Sequence, residues 1–293
     1  MKQKKLQIDE DLGLVEISLG SYGAGPLATE LSLSEALAYH LASGGSRTRA
    51  RIALQCASEA GLRENTKLAI ATACELLHQA SLLHDDVMDK DEKRRDGESV
   101  WSLYGSSSAI CLGDELIASA FAELGNIDSE DMANLSKMIC CLHLAVSRSA
   151  AGQSLDCQLS DSLETNLETY ERATSHKSGP LLALPIELVM MVKNEKQQHF
   201  SCMKGVASAF GIAYQLIDDY EDREVDKGAQ LNGYWVIRDF VSSDEEAISI
   251  LNQRYQWYCR VIERGLACLP SYTQGAVKFF LNALNNKKQM VGV

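Results

Sequence analysis

The chain has 293 residues, 46% of them apolar, with a formal net charge of −12 and a pI near 5.0. That is enough for one large core or two ordinary ones, and the acidic balance without a basic patch excludes the usual nucleic-acid binder. No apolar run reaches the ~18 residues of a membrane span, and MKQKKLQIDEDLG carries basic residues without the apolar stretch of a signal peptide. The nine cysteines lie mostly in apolar runs, and no CxxC pair occurs. We therefore expect a cytoplasmic protein with buried, reduced thiols.

Residues 1 to 28 are mixed in composition and read as a loosely ordered lead-in, with SLGSYGAGP as a loop. Residues 29 to 42 read as a helix stopped by Ser43, Gly44 and Gly45, and 47 to 60 as another ending at Gly61. Asn65 is placed to cap a long helix running to about Met88. A charged loop at 90–99 precedes helices at about 106–124 and 129–160, separated by Gly125 and Asn126. Thr165 to His176 reads as a helix broken at Ser178, Gly179 and Pro180, followed by periodic apolar stretches at 181–193 and 197–222. Residues 223–242 are polar and irregular, and helices near 243–266 and 271–286 close the chain. Residues 27–179 contain no proline, which suits long helices because an interior proline costs about 3 kcal/mol. Strand-like alternation, internal repeats and Pro- or Ser-rich linkers are absent. The expectation is one all-α domain over 1–293, with ten or more helices.

The stretch ELLHQASLLHDDVMDKDEKRR, Glu75 to Arg95, begins as an apolar helix and ends in Asp85, Asp86 and Asp89, then Arg94 and Arg95. Acidic side chains at a helix C-terminus face the negative end of the dipole, at about 0.3–1 kcal/mol each, and a divalent metal is the simplest compensation. LIDDYED repeats the spacing at Asp218, Asp219 and Asp222. First and third positions are i and i+4, so they share a helical face. All-oxygen ligands favour Mg²⁺, and two such clusters suit a diphosphate gripped from both sides. Either cluster alone reads equally as a solvated helix end. A di-iron bundle needs two Glu-x-x-His pairs, and only Glu75–His78 is present. His84-Asp85 lacks the further histidines of an HD-type metal site.

On these residues the chain resembles the polyprenyl synthetase family, the trans-isoprenyl diphosphate synthases that include geranylgeranyl and farnesyl diphosphate synthases. Asp85, Asp86, Asp89, Arg94 and Arg95 match its first aspartate-rich motif. Tyr214, Gln215, Asp218, Asp219 and Asp222 match its second. Gly44, Gly45 and Arg49 fit its Gly-Gly-Lys-x-x-Arg segment, His78 its histidine, Gly152, Gln153 and Asp156 its Gly-Gln-x-x-Asp element, and Lys177 with Ser178 its Lys-Ser/Thr element. Order and spacing hold from about residue 44 to 222.

The resemblance implies an all-α homodimeric enzyme whose helices surround a central active-site cavity. It implies head-to-tail condensation of isopentenyl diphosphate with dimethylallyl, geranyl or farnesyl diphosphate. Asp85, Asp86, Asp89, Asp218 and Asp222 are then the ligands of two or three Mg²⁺ ions, with Asp219 completing the second motif. Arg94 and Lys177 face the allylic diphosphate. Arg95, Arg49 and His78 hold isopentenyl diphosphate. Ser178 and Gln215 lie near the nascent cation. Gln153 and Asp156 are supporting groups. Ala80 and Ser81, small and just before the first motif, leave the product tunnel open, with Leu77 and Leu76 as its floor. This implies C20 or longer, with C15 within reach.

The chain departs from the family pattern at Ser46, where a lysine is usual, leaving Arg47 and Arg51 as candidates to replace that cation. Lys227-Gly228 covers part of a later Gly-Lys element, and RRDGES stands for the usual RRGxP. These departures keep two other readings open: a class I terpene synthase acting on a prenyl diphosphate without isopentenyl diphosphate, and a subunit of a heteromeric prenyltransferase.

Overall fold

The computed structural model describes residues 2–22, 32–95, 97–160, 165–226 and 231–291. Lys227-Gly228 and residues 23–26 of the expected N-terminal loop lie outside them. Helices run α1 (Lys2–Ser21), α2 (Ser32–Ala42), α3 (Thr48–Glu59) and α4 (Glu64–Met88), then a minimal hairpin of β1 (Lys93–Arg94) and β2 (Gly97–Glu98). There follow α5 (Val100–Tyr104), α6 (Ser106–Glu123), α7 (Leu135–Ser160), α8 (Leu167–Val192), α9 (Gln197–Glu221), α10 (Gly233–Arg238), α11 (Asp244–Leu266) and α12 (Gln274–Val291). Among the described residues the architecture is all-α apart from that hairpin. No described helix is long and apolar enough to cross a membrane.

Two compact units divide the chain, residues 1–142 with 191–194 and residues 143–190 with 195–293. The first is built round α4. Ala69, Ile70, Ala71, Ala73, Cys74, Leu76, Leu77, Ala80 and Leu83 are buried on all its sides, as expected of a helix enclosed by others, and α3 and α6 pack against it. Its start differs from the sequence expectation. Arg63 occupies the cap position without a side-chain capping bond, while Asn65 lies inside the helix and donates to Asp128 Oδ1 at 3.1 Å. The Asp128 carboxylate also accepts from the Thr66 N–H at 3.3 Å, so the cap comes from a distant residue and satisfies the same dipole.

Residues 2–21 are helical where a loose segment was expected. Leu12, Val15 and Leu19, at helical spacing, are buried in the first unit. Tyr22 OH and Ser18 Oγ donate to Glu123, and Glu16 holds Arg47.

The second unit is built round α8 and α9. The expected break at 178–180 does not occur: α8 runs unbroken through Pro180 and Pro185. Each proline withdraws one intrahelical N–H, yet Gly179 and every residue from Leu181 to Met190 are buried. At about 1.5–3 kcal/mol per large apolar side chain buried, that face outweighs the two local penalties. Within 223–242, read as irregular, Gly233–Arg238 is a helix capped by Asn232 Oδ1, which accepts from the N–H of Tyr234 (3.0 Å) and Trp235 (3.3 Å).

The cysteines also differ from expectation. All are free thiols, but only Cys56, Cys74 and Cys141 are buried, while Cys111, Cys140 and Cys268 are exposed. Apolar runs in amphipathic helices such as α6 and α7 place part of their length outward.

Candidate active site

The end of α4 presents the first motif. The Asp89 N–H bonds the Asp85 carbonyl at 2.8 Å. Helical spacing therefore extends through the third aspartate and leaves Asp85 and Asp89 on one face. Asp86 points the other way and is 1% exposed. Arg94 Nε lies 2.7 Å from each of its oxygens, with Nη2 bonded as well. Burial pushes the Asp86 carboxyl up from the usual range, against the pull of Arg94. Arg94, expected to face the allylic diphosphate, is thus turned onto the middle aspartate.

The hairpin after α4 sends its next residue elsewhere. Arg95 has φ 57°, and its Nη1 donates to the Ser43 carbonyl and Oγ, each at 3.1 Å, and to the Gly44 carbonyl. A Cβ on Gly45, whose φ is +136°, would come within 2.6 Å of the Arg95 guanidinium. This is a physical reason for the second glycine of the pair. The structure therefore brings together Gly44, Gly45 and Arg95, which lie some 50 positions apart in sequence.

Arg49 and His78 belong to the same unit. Arg49 is half-buried with its Nε enclosed; burial lowers its pKa against the pull of Glu75, Cys74 and Asp85. Burial, then the charges of Arg49 and Arg94, hold His78 well below the usual imidazole range, so its ring is neutral. Among the described residues, Arg49 Nε and His78 Nδ1 are buried and have no hydrogen-bond partner. Arg47 and Arg51 are placed differently. Arg47 is buried in a left-handed conformation (φ 46°) and reaches Glu16 at 2.6 Å. Arg51 is exposed and pairs with Asp9 at 3.0 Å. Ser46 is exposed, with its Oγ 2.7 Å from Thr48 Oγ1.

Ala80 is buried and Ser81 partly exposed, its Oγ donating to the His78 carbonyl at 2.8 Å; Leu77 is buried one turn earlier.

The second motif repeats the local geometry at the end of α9. The Asp222 N–H bonds the Asp218 carbonyl at 2.9 Å, and the middle residue is again the buried one. Asp219 accepts from Tyr170 OH (2.6 Å), Gln215 Nε2 (2.7 Å) and the Gly233 N–H (2.5 Å). Burial raises its carboxyl to about 6 against these donors. Gln215, expected beside the reacting carbon, is bonded to this carboxylate.

In the same unit α7 presses on α8 at Gly152, where a Cβ would lie 2.2 Å from the Lys177 backbone nitrogen. One turn on, Asp156 Oδ2 accepts from Lys177 Nζ at 2.9 Å. Gly152, Asp156 and Lys177 therefore form one device, a close helix crossing with an ion pair beside it. Ser178 packs towards Gly211 of α9, whose added Cβ would lie 3.3 Å from the serine Cβ.

Among the described residues no three His, Cys, Asp or Glu side chains converge on a single metal position. Each motif instead offers an outer pair of carboxylates, with its middle aspartate bonded inward. That donor set fits Mg²⁺, which takes one or two protein carboxylates and completes its octahedron with water and phosphate oxygens.

Several participants escaped the sequence reading. Glu75 accepts from the Ala50 N–H (3.3 Å) and Gln79 (2.7 Å), and Gln79 Oε1 lies 2.9 Å from His40 Nε2. This buried network ties the 47–50 turn to α4. Tyr170 and Gly233, which hold Asp219, were missed too. The only sequence signal was Asn232 before Gly-Tyr-Trp, a legible helix cap.

Residues 30–232 match the family profile described as polyprenyl synthetase. The chain is 29% identical over 209 residues to the heterodimeric geranylgeranyl pyrophosphate synthase large subunit 1, chloroplastic, of Arabidopsis thaliana, covering 68% of this chain and 56% of that protein. It is 30% identical over 232 residues to the geranylgeranyl diphosphate synthase of Mycobacterium tuberculosis, covering 72% and 65%. The chain thus spans less than two thirds of the length of these relatives. The geranyltranstransferase structure from Thermotoga maritima superposes with a TM-score of 0.74 over 98% of this chain and 99% of that one, at 24% identity, which shows a shared fold. With the profile running through both aspartate motifs, the chain belongs to the polyprenyl synthetase family.

Proposed function

We propose that the protein condenses isopentenyl diphosphate head to tail with an allylic diphosphate, releasing diphosphate and an all-trans prenyl diphosphate, with Mg²⁺ as cofactor. The observation that carries this reading is the orphaned Arg49 Nε and His78 Nδ1 in the unit where Arg95 docks on Gly44 and Gly45. An unsatisfied buried donor costs about 1–3 kcal/mol, more when charged. A fold keeps such groups where a ligand completes them, and neutral His78 joins Arg49 as a donor in the tautomer protonated at Nδ1. An anionic second substrate does so, and a cyclase has no second substrate to bind.

Bound Mg²⁺ supplies charge neutralisation of the departing diphosphate. Asp85 and Asp89 at the end of α4, and likewise Asp218 and Asp222 at the end of α9, would hold such ions, while Asp86 and Asp219 orient the helix ends. Lys177 adds positive charge to the allylic diphosphate, and Arg94 does so from its place on Asp86. Arg49, Arg95 and neutral His78 bind isopentenyl diphosphate, with Arg47 bracing the turn beneath them. The allylic C–O bond breaks, with Ser178 and Gln215 nearest the cation. The isopentenyl double bond attacks to form the new C–C bond. The proton lost passes to the released diphosphate. The active form in this reading is a homodimer, the assembly that the family resemblance implies.

The test is purified protein with Mg²⁺ and dimethylallyl, geranyl or farnesyl diphosphate, with and without isopentenyl diphosphate. Elongated diphosphates formed only when it is present are the expected result. Hydrocarbon or alcohol formed without it marks a cyclase, and activity only after adding a second polypeptide marks a heteromeric subunit.

Small side chains at Ala80 and Ser81 support a C20 product, as do the names of the relatives. Ala80→Phe places a ring at a position that is 1% exposed, one turn from Leu77. The expected outcome is a shift of the main product from C20 to C15 or shorter by chromatography of the dephosphorylated alcohols. An unchanged chain length sinks the tunnel assignment.

A further inference from the structure

Lys287 has no part in the chemistry above, yet it sits on the second aspartate motif. α12 packs along α9: Phe280 stacks on Phe210 with ring centroids 4.5 Å apart, and Val277, Phe280 and Leu284 are fully buried. Lys287 follows Phe280 by two helical turns, as Asp218 follows Phe210. The two helices therefore run side by side in one direction, and α12 delivers an ammonium to the end of α9. Lys287 Nζ is bonded to Asp218 Oδ1, lies 3.1 Å from Glu221 Oε2, and stands 4.4 Å from the centroid of the Tyr214 ring. Its side chain is 15% exposed. Tyr214, Asp218 and Glu221 form one stripe of α9, and all three partners suit a cation.

The location explains the need. Asp218, Glu221 and Asp222 crowd one turn at a helix C-terminus, where the dipole adds further negative charge. Of the outer pair of this motif, Asp218 is the carboxylate the lysine holds.

We propose that Lys287 is a built-in counter-cation of the second motif: it neutralises Asp218 and Glu221 in the metal-free protein and leaves Asp218 when a divalent cation binds there. The inference rests on Asp218 being a metal ligand. Its consequence is coupled loading. A bare cation must displace the ammonium, whereas a cation arriving with diphosphate brings oxygens that accept the displaced ammonium. Lys287 thus biases the motif towards the metal–diphosphate pair over the metal alone.

The test is titration of the full chain with Mn²⁺ in the absence of diphosphate, following the free Mn²⁺ signal by electron paramagnetic resonance. Wild type, Lys287→Met, Lys287→Gln and Asp218→Asn are compared, with far-UV circular dichroism as the check on folding. The sites lost in Asp218→Asn should bind Mn²⁺ about five- to tenfold tighter in both lysine variants, and Lys287→Arg should restore the wild-type value. A lysine with a merely structural role leaves that affinity unchanged or lowers it on removal. Equal or weaker binding in both lysine variants, with sites still lost in Asp218→Asn, overturns the counter-cation. Unaltered binding in Asp218→Asn overturns the ligand assignment and the inference with it.

Discussion

Replacing Asp85 by Ala lowers kcat by at least about 10²–10³, the loss seen when one preorganised stabilising group is removed from a charged transition state, while the melting temperature changes little. Asp85 stands in the last turn of α4 with Asp86, ahead of Asp89 at the cap, and a carboxylate there opposes the helix dipole by about 0.3–1 kcal/mol. Removing it relieves that opposition but also withdraws its attraction for the Arg49 and Arg94 guanidiniums, so the fold gains little while the proposed chemistry is lost. Asp218→Ala gives the same collapse in kcat with a lower melting temperature, because it takes away the bonded partner of Lys287 and leaves the ammonium with Glu221 alone. Steady-state rates at saturating substrate and calorimetric melting separate the two effects. A kcat within tenfold of wild type in either variant removes that aspartate from the metal site.

What the sequence made legible was local. Spacing along one helix placed Asp85 with Asp89 and Asp218 with Asp222, and in both cases the backbone bond from the third aspartate to the first preserves that spacing. The all-α class followed from long periodic segments and few prolines. The errors came where tertiary packing overrode a local signal. Pro180 looked like a helix end, but the buried face beyond it carries α8 through. Asn65 looked like a cap, but Asp128 supplies the carboxylate from a different segment. Residues 2–21 looked irregular because the buried apolar positions Leu12, Val15 and Leu19 are a weak pattern among many polar ones.

The candidate site divides in the same way. Motif residues were visible from type and spacing, whereas the groups that hold them were not. Nothing local marks Tyr170 as the partner of Asp219, or Lys287 as the partner of Asp218, since each pair is separated by tens of residues. Nor does spacing distinguish the middle aspartate of each triplet from the outer two. That difference appears once burial is known: Asp86 and Asp219 are 1% and 3% exposed.

Asp219→Ala tests that difference directly. The expected result is a melting temperature lower by about 6–12 °C, together with a fall in kcat. Its carboxylate is the acceptor for Tyr170 OH, Gln215 Nε2 and the Gly233 N–H, so it ties α8 and the start of α10 to the end of α9. Truncation leaves these donors buried and unsatisfied, at roughly 2 kcal/mol each. An opposing effect comes from burial, which raises the carboxyl to about 6; over the free-acid value this is about 3 kcal/mol of unfavourable charging at neutral pH. Because the folded value is the higher one, this group stabilises the fold most below about pH 4, and that contribution is lost as pH rises through about 6. At pH 7, therefore, the variant gains relief from a buried charge and loses more through its three stranded donors. The balance is near 3 kcal/mol of destabilisation, which for a chain of this size is a shift of several degrees. Tyr170→Phe, which removes one donor together with its hydrogen bond, should show a smaller decrease in the same direction. If Asp219→Ala keeps the wild-type melting temperature and still loses activity, Asp219 is a metal ligand like its neighbours and not the anchor that sets them.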